Sequence, residues 1–143
     1  MLGRQHGFYS DVPAIGWRID SAIDGVEDMW VARAKYHYEK DEEKKKAACA
    51  NFFDSFFPAW CNIYDKRIAA NTSKHHLVGD NMTIADFAMA GYAYANILNT
   101  GCSFHKELQA VLENYPNFKE YLVHLGEHNL KDFLASRPSP RTF

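Results

Sequence analysis

The sequence predicts an all-α domain, a bundle of about six helices. No segment alternates cleanly between apolar and polar residues, as a half-buried strand would, and no Asn-Gly or Asp-Gly pair separates two alternating runs. Apolar residues instead recur every three or four positions over long stretches, which is the spacing of a buried helix face. The run Thr83-Ile84-Ala85-Asp86 adds the capping-box pattern that opens a helix.

The first predicted helix begins at residues 11–13, where Pro13 takes an early position at which its missing amide costs nothing. The helix runs to the charged segment 39–46, whose mixed signs indicate a solvated helix junction. Its predicted buried stripe consists of apolar residues three or four apart: Ile15, Ile19, Ile23 and Val26.

The second predicted helix covers residues 47–71 and is dense in aromatic rings. Pro58 lies inside it and predicts a kink near residues 55–57, because proline cannot donate the helical hydrogen bond. Residues 71–74 form a polar loop.

The third predicted helix starts at Thr83. The Thr83 hydroxyl can accept the Asp86 amide, and the Asp86 carboxylate can accept the Thr83 amide. Met82 before the cap and Phe87 at the fourth helical position fit a hydrophobic staple, and Gly79-Asp80 supplies a turn upstream. Because this capping role accounts for Asp86, we expect it to serve folding and not catalysis.

The capped helix is expected to end near residues 99–101, with Gly101 as its stop. Shorter helices are predicted over residues 103–113, 116–125 and 130–136, followed by an extended tail at residues 138–140.

The chain has 143 residues, the length of one domain, and its 47% hydrophobic and 15% aromatic residues allow a ring-rich core without disulfides. Its 16 basic and 18 acidic residues nearly balance, so we expect no nucleic-acid partner. The most apolar window, residues 84–98, is too short to span a bilayer, so we expect no membrane insertion. Three widely spaced cysteines favour the cytoplasm or another reducing compartment. A mitochondrial location stays open, because a processed chain would show no presequence.

Several motifs, in order, resemble the C-terminal, all-helical domain of cytosolic glutathione transferases. The loop 77–80 leads into the capped helix as it does in that family, and Gly7-Phe8-Tyr9 with residues 24–28 is similar to the domain's start in the pi-, mu- and sigma-like classes. Residues 115–118 and 130–138 are similar to the family's closing pair of helices. The resemblance covers essentially the whole chain.

The resemblance implies two segments. Residues 1–9 are similar to the end of the last helix of a thioredoxin-like domain and its linker, and residues 10–143 to the helical domain. In the family, the thioredoxin-like domain carries most of the glutathione site and the activating Tyr or Ser. We see no pattern for that domain before residue 10, so either the chain was cut from a longer protein or its gene lost the first half.

The resemblance also implies site residues. Asp28 would reach across a dimer to the glutamyl amine of glutathione, as a charge-assisted hydrogen bond; the alternative is a carboxylate on an exposed helix face. Tyr38 would line the pocket for the electrophilic substrate and donate to a developing negative charge, unless it is an ordinary half-buried tyrosine. Arg33 and Tyr36 fall near the same pocket by helical spacing.

We predict no catalytic residue, metal site or cofactor in this chain, with glutathione a co-substrate of the full enzyme. His124 and His128 are four residues apart and His75 adjoins His76, but neither pair has companions that complete four ligands. These histidines are therefore expected at the surface or at helix ends. The cysteines lack the spacing of a redox pair.

Two functions remain open at this stage. The chain can be the half of a glutathione transferase that binds small apolar electrophiles, inactive alone because the activating group belongs to the thioredoxin-like domain. It can also be a non-catalytic docking or structural subunit that reuses the fold. Either function predicts a homodimer or a place in a larger complex.

Overall fold

The computed structural model describes residues 2–137 as a helical bundle with no strand in that range. Seven continuous helical stretches occur in this part of the chain, so the all-α prediction is confirmed. Six correspond to the predicted helices, and the seventh, α1, lies in the segment 1–9. In chain order the helices are α1 Leu2–Gln5, α2 Pro13–His37, α3 Glu42–Asn51, α4 Phe57–Ala70, α5 Ile84–Tyr92, α6 His105–Leu112, α7 Pro116–His124 and α8 Lys131–Ser136.

Three short π-helical segments extend these helices. Phe52–Phe56 joins α3 to α4 in one rod, Ala93–Ile97 continues α5, and Leu125–Asn129 continues α7. The predicted tail at residues 138–140 lies outside the described residues.

The longest helix, α2, is the spine of the bundle and packs against α3, α4 and α5. Pro13 occupies its first turn, as predicted. The predicted stripe is wrong at Ile15, which is exposed, because the buried face follows Gly16 and Ile19 instead. The other buried positions of α2 are Ala22, Val26, Met29 and Tyr36.

The second helical rod begins earlier than residue 47, where the sequence placed it. Asp41 caps α3, and its Oδ1 accepts hydrogen bonds from the amides of Glu43 at 3.1 Å and Lys44 at 3.0 Å. Glu43 also lies in the first turn, where a carboxylate interacts favourably with the positive end of the helix dipole. Part of the charged segment is therefore helix and not junction.

The π-helical segment Phe52–Phe56 lies directly before Pro58, where the sequence predicted a kink. The Phe57 amide donates to the Phe52 carbonyl, so a π-helical hydrogen bond closes the turn just before Pro58, which has no amide to donate.

The predicted end of the capped helix also needs correction. Gly101 is not its stop, because the helical stretch ends at Ile97 and Gly101 has no left-handed backbone.

The centre of the core is a set of aromatic rings between α2, α4 and α7. Trp60 lies 4.6 Å from Tyr64 and 5.4 Å from Phe118, measured between ring centroids. The Trp60 indole donates to the Gly25 carbonyl at 2.7 Å, and the Tyr64 hydroxyl donates to the Ala22 carbonyl at 2.6 Å. Gly25 permits this approach, because a Cβ there would lie 2.5 Å from the Tyr64 hydroxyl oxygen.

The start of α5 is fixed by the Asp86 carboxylate, which is 0% exposed. Its Oδ2 accepts the Thr83 amide at 2.8 Å and the Thr83 hydroxyl at 3.1 Å, and both halves of the capping box are present. Its Oδ1 accepts the Leu77 amide and the Tyr121 hydroxyl, each at 2.9 Å. We call these four hydrogen bonds the Asp86 network. They join the 71–83 loop, α5 and α7.

The two staple residues flank this network. Met82 is half-buried and packs against the core. Phe87 is exposed, and its ring meets Phe8 edge to face at 5.1 Å. The Phe8 carbonyl also accepts the Ile84 amide at 2.9 Å, so the segment before α2 is attached to the start of α5.

The 71–83 loop is held in shape by the Asn71 side chain. Its Nδ2 lies within hydrogen-bond distance of the carbonyls of Ser73, His76 and Gly79, and its Oδ1 accepts the Gly79 amide at 3.0 Å. Gly79 has a φ of 71°, which favours glycine. Two side chains of this loop, Leu77 and Val78, are buried.

We expect the substitution Asp86→Ala to destabilise the domain by more than the roughly 1 to 3 kcal/mol that one unsatisfied buried group costs, because it leaves several buried donors without an acceptor. The matched control is Asp28→Ala, since Asp28 is exposed and belongs to no such network. Urea unfolding followed by circular dichroism measures both. Equal losses from the two substitutions would show that Asp86 does not have the structural role assigned to it.

Candidate functional site

Two of the grooves beside α2 in the described part of the chain contain predicted site residues. The interhelix groove, about 500 Å³ in volume, runs between α2 and α4. Asp28 lies in it and is exposed. The residues that give the groove its character are Trp17, Asp20, Asp24, Asp28, Ile63 and Arg67.

The interhelix groove is acidic on its α2 side. Asp20, Asp24 and Asp28 follow one another at intervals of four residues, so they share one face of the helix. Asp20 accepts the Tyr9 hydroxyl at 2.7 Å, and this hydrogen bond is the main reason that the pKa of Tyr9 is raised. Across the groove, Arg67 donates to Ser21 at 3.0 Å. An ammonium group is the ligand that suits such a row of carboxylates.

The second groove, which we call the aromatic groove, lies at the C-terminal end of α2 and has a volume of about 380 Å³. The structure brings Arg33 and Tyr38 together here. Tyr38 is 77% exposed, so it is not the half-buried tyrosine of the alternative interpretation. Among residues 2–137, the aromatic groove is lined by Trp30, Arg33, Ala34, His37 and Tyr38, and none of these is acidic.

Tyr36, the remaining predicted pocket residue, does not line the aromatic groove. It is 5% exposed, and its ring packs edge-on against Phe52 at 5.2 Å and Phe104 at 5.7 Å. Burial raises the pKa of Tyr36, while the charge of Arg33 and its hydrogen bond to the phenol oppose that shift. Tyr36 is therefore connected to the aromatic groove only through its hydrogen bond with Arg33, which helps to orient the guanidinium.

Asp28 and Arg33 are separated by the geometry of the helix. Five positions along an α-helix turn a side chain by about 140° relative to its starting direction. The Asp28 carboxylate therefore lies in the interhelix groove and the Arg33 guanidinium in the aromatic groove.

Sequence reasoning missed several lining residues. Trp30 and His37 lie three and four positions from Arg33, so helical spacing alone could have identified them. Trp17 and Arg67 line the interhelix groove with Asp28, and no local signal predicts that α4 brings Arg67 there.

The histidines and cysteines form no visible metal centre. Within residues 2–137, no three His, Cys, Asp or Glu side chains are placed to hold a metal ion. Cys61 and Cys102 are buried free thiols, and burial raises the pKa of the Cys61 thiol far above its usual value. In the same range, none of the helices has the length and apolar character that crossing a bilayer requires.

Comparison with solved structures identifies the fold. Prostaglandin synthase D of Nilaparvata lugens superposes with a TM-score of 0.74 at 17% identity, over 97% of this chain and 65% of that one. Glutathione S-transferase from Ascaris lumbricoides superposes with a TM-score of 0.67 at 25% identity, over 96% of this chain and 64% of that one. The chain thus spans less than two thirds of the length of either protein.

A family model gives the stronger assignment. The model described as the glutathione S-transferase C-terminal domain matches residues 27–137, which is most of the chain. That range contains Asp28, the whole aromatic groove and the Asp86 network. The chain therefore belongs to the glutathione S-transferase family, as its C-terminal helical domain.

Proposed function

We propose that this chain is the electrophile-binding half of a glutathione transferase of a pi-, mu- or sigma-like class. The aromatic groove takes the small apolar electrophile, and Asp28 takes the glutamyl ammonium of glutathione bound by a partner subunit. One observation carries this proposal: Arg33 and Tyr38 share a groove with Trp30 and His37, and the groove lies apart from Asp28.

The lining of the aromatic groove fits the chemistry of conjugation. The exposed Trp30 indole offers a flat apolar surface to an aromatic electrophile. When a thiolate attacks such a molecule, negative charge develops on its ring substituents. The Tyr38 phenol and the Arg33 guanidinium are donors at the groove, where they would stabilise that charge.

The interhelix groove supports the role proposed for Asp28 and a homodimer around it. Two large apolar residues are exposed at this groove: Trp17 is 71% exposed and Ile63 is 50% exposed. Apolar side chains beside a row of carboxylates suit a face that a second copy covers. On that face, Asp28 would point to the glutathione of the partner.

The domain division is part of the proposal. Residues 1–9 would be the end of a thioredoxin-like domain's last helix with its linker, and residues 10–143 the helical domain. The attachment of Phe8 to Ile84 and the turn at Gly7, with φ of 76°, support a linker that rests on α5. The thiol-activating group belongs to the thioredoxin-like domain in this family, so we propose that this chain alone does not catalyse conjugation.

Exposed aromatic residues also favour the second function, a docking or structural subunit of a larger assembly. Trp17, Trp30, Tyr38 and Phe87 are all exposed, on several sides of the molecule. The buried thiols fit the cytoplasm or another reducing compartment, mitochondria included. Binding of an apolar electrophile in the aromatic groove would favour the transferase function, because a docking subunit does not need such binding.

Binding of 1,3-dinitrobenzene, an unreactive analogue of a nitroaromatic electrophile, should quench the fluorescence of Trp30. We expect Trp30→Phe to remove most of the quenching, while the matched control Trp17→Phe keeps it, because only Trp30 lines the aromatic groove. Arg33→Gln should weaken binding by about tenfold through the lost donor to the nitro group. Quenching that survives Trp30→Phe would place the ligand elsewhere.

Sedimentation should show a dimer at micromolar concentration, because the apolar side chains of the interhelix groove are otherwise open to water. Ile63→Glu should convert the dimer to a monomer by burying a charge in the contact. The control is Val123→Glu on α7, an exposed apolar position outside both grooves. A wild-type chain that sediments as a monomer would contradict the proposed face.

The purified chain should not accelerate the reaction of glutathione with a chlorodinitrobenzene above the uncatalysed rate. The reason is that the proposal assigns thiol activation to the thioredoxin-like domain. The absorbance of the conjugate measures the rate. Turnover that follows the chain through purification, and that Tyr38→Phe reduces, would show that this domain is catalytic by itself.

A further inference from the structure

A cluster of histidines lies outside both grooves, where the 71–83 loop meets the end of α7. The rings of His75 and His124 are stacked 3.7 Å apart with an interplanar angle of 21°. His124 in turn stacks on His128, from the π-helical segment Leu125–Asn129, at 4.3 Å and 27°. The three rings form one continuous column, which we call the histidine stack. It joins a loop to a helix end that is distant in sequence.

The cluster is arranged for neutral imidazoles. The Nδ1 atoms of His75 and His76 are buried and have no hydrogen-bond partner. A neutral ring can leave such a nitrogen as an unpaired acceptor, whereas a protonated ring would bury an N–H donor without an acceptor. Two charged rings stacked 3.7 Å apart would also repel each other.

The charges around the central ring point the same way. His75 and His76 face His124 from the loop and His128 faces it from its own helix, while Glu120 is the carboxylate nearby that favours a charged ring. The Lys74 ammonium is bonded to the Ala69 carbonyl at the end of α4. Burial first, and the three neighbouring histidines next, lower the pKa of His124.

The stack is not arranged as a metal site. Nitrogen lone pairs lie in the plane of each imidazole, so rings stacked nearly parallel direct them side by side and not toward one point. No group of metal-ligating side chains within residues 2–137 has a suitable placement. Protonation of the rings is therefore the reaction considered for this cluster.

The loop that carries His75 also lines a cleft. Leu77 and Val78 line a cleft of about 250 Å³ with Trp17, Arg18 and Arg67, next to the interhelix groove. We propose that the histidine stack is an acid-sensitive latch. Its neutral rings hold the 71–83 loop against the end of α7, and its protonation loosens the loop beside the cleft that Leu77 and Val78 line.

The direction of the pH effect follows from linkage. The free histidine titrates at about 6.5. Burial and the neighbouring histidines lower the pKa of His124, because both oppose the charged ring. The latch therefore has its full stability above about pH 6.5 and loses it as the pH falls toward the lowered value, since the released loop binds more protons.

Two NMR measurements on the full chain test this inference, independently of the transferase proposal. In a titration of the histidine ring protons, we expect His124 to titrate at a lower pH than a free histidine. Amide exchange, corrected for intrinsic rates, should show protection at Leu77 and Val78 falling severalfold between about pH 7.5 and about pH 5.5. Protection at Ile19 and Met29 in α2 should stay constant, since only the loop opens.

Substitutions then assign the effect to the stack. His124→Phe keeps a flat ring but cannot be protonated, so we expect the pH dependence at Leu77 and Val78 to be largely lost. The control His6→Gln removes a histidine outside the cluster and should keep it. Titration of His124 at the pH of a free histidine, or an unchanged pH dependence in His124→Phe, would overturn the proposal. If His124→Phe does not fold, the ring titration of the wild-type protein decides alone.

Discussion

A carboxylate removed from water is stable only when donors meet its oxygens, and Asp86 meets this condition with four hydrogen bonds. The donors are Leu77 and Thr83 in the 71–83 loop and Tyr121 on α7, while Asp86 itself lies in the first turn of α5. Each donor that is lost leaves the buried carboxylate less well satisfied, which is costly in a low-dielectric interior. The network therefore fixes α5, and α5 packs along α2, where Trp30 meets Tyr92 edge to face at 4.9 Å. Through this packing, the aromatic groove depends on Asp86.

The helix α2 separates two kinds of chemistry by its own geometry. Its acidic face presents Asp28 to the interhelix groove, and its C-terminal turns present Arg33 and Tyr38 to a groove without acids. A substrate pair with one ammonium and one apolar electron-poor ring matches this division. The match of the family model over residues 27–137 shows that the chain belongs to the glutathione S-transferase family. The substrates and the dimer are our proposals. The histidine stack, which includes His75 of the 71–83 loop, is our proposed pH-dependent element.

Local signals in the sequence predicted most of the helices, because caps, prolines and apolar spacing act within a few residues. The Thr83–Asp86 pair is such a signal. Its two further partners were not predictable, since Tyr121 lies 35 residues away and only the tertiary fold brings it there. Tyr36 shows the same limit: spacing placed it near Arg33, but packing against Phe52 and Phe104 buries it. Asp41 was a missed local signal, since a capping Asp followed by two glutamates predicts a helix start.

The central claim is that the aromatic groove is the binding site for the electrophile. Backbone NMR shifts recorded during titration with 1,3-dinitrobenzene test it most directly, because they map the site without a substitution. The account predicts changes centred on Trp30, Arg33 and Tyr38, with the interhelix groove unaffected. Changes centred on Trp17 and Arg67, or no saturable change at all, would contradict it.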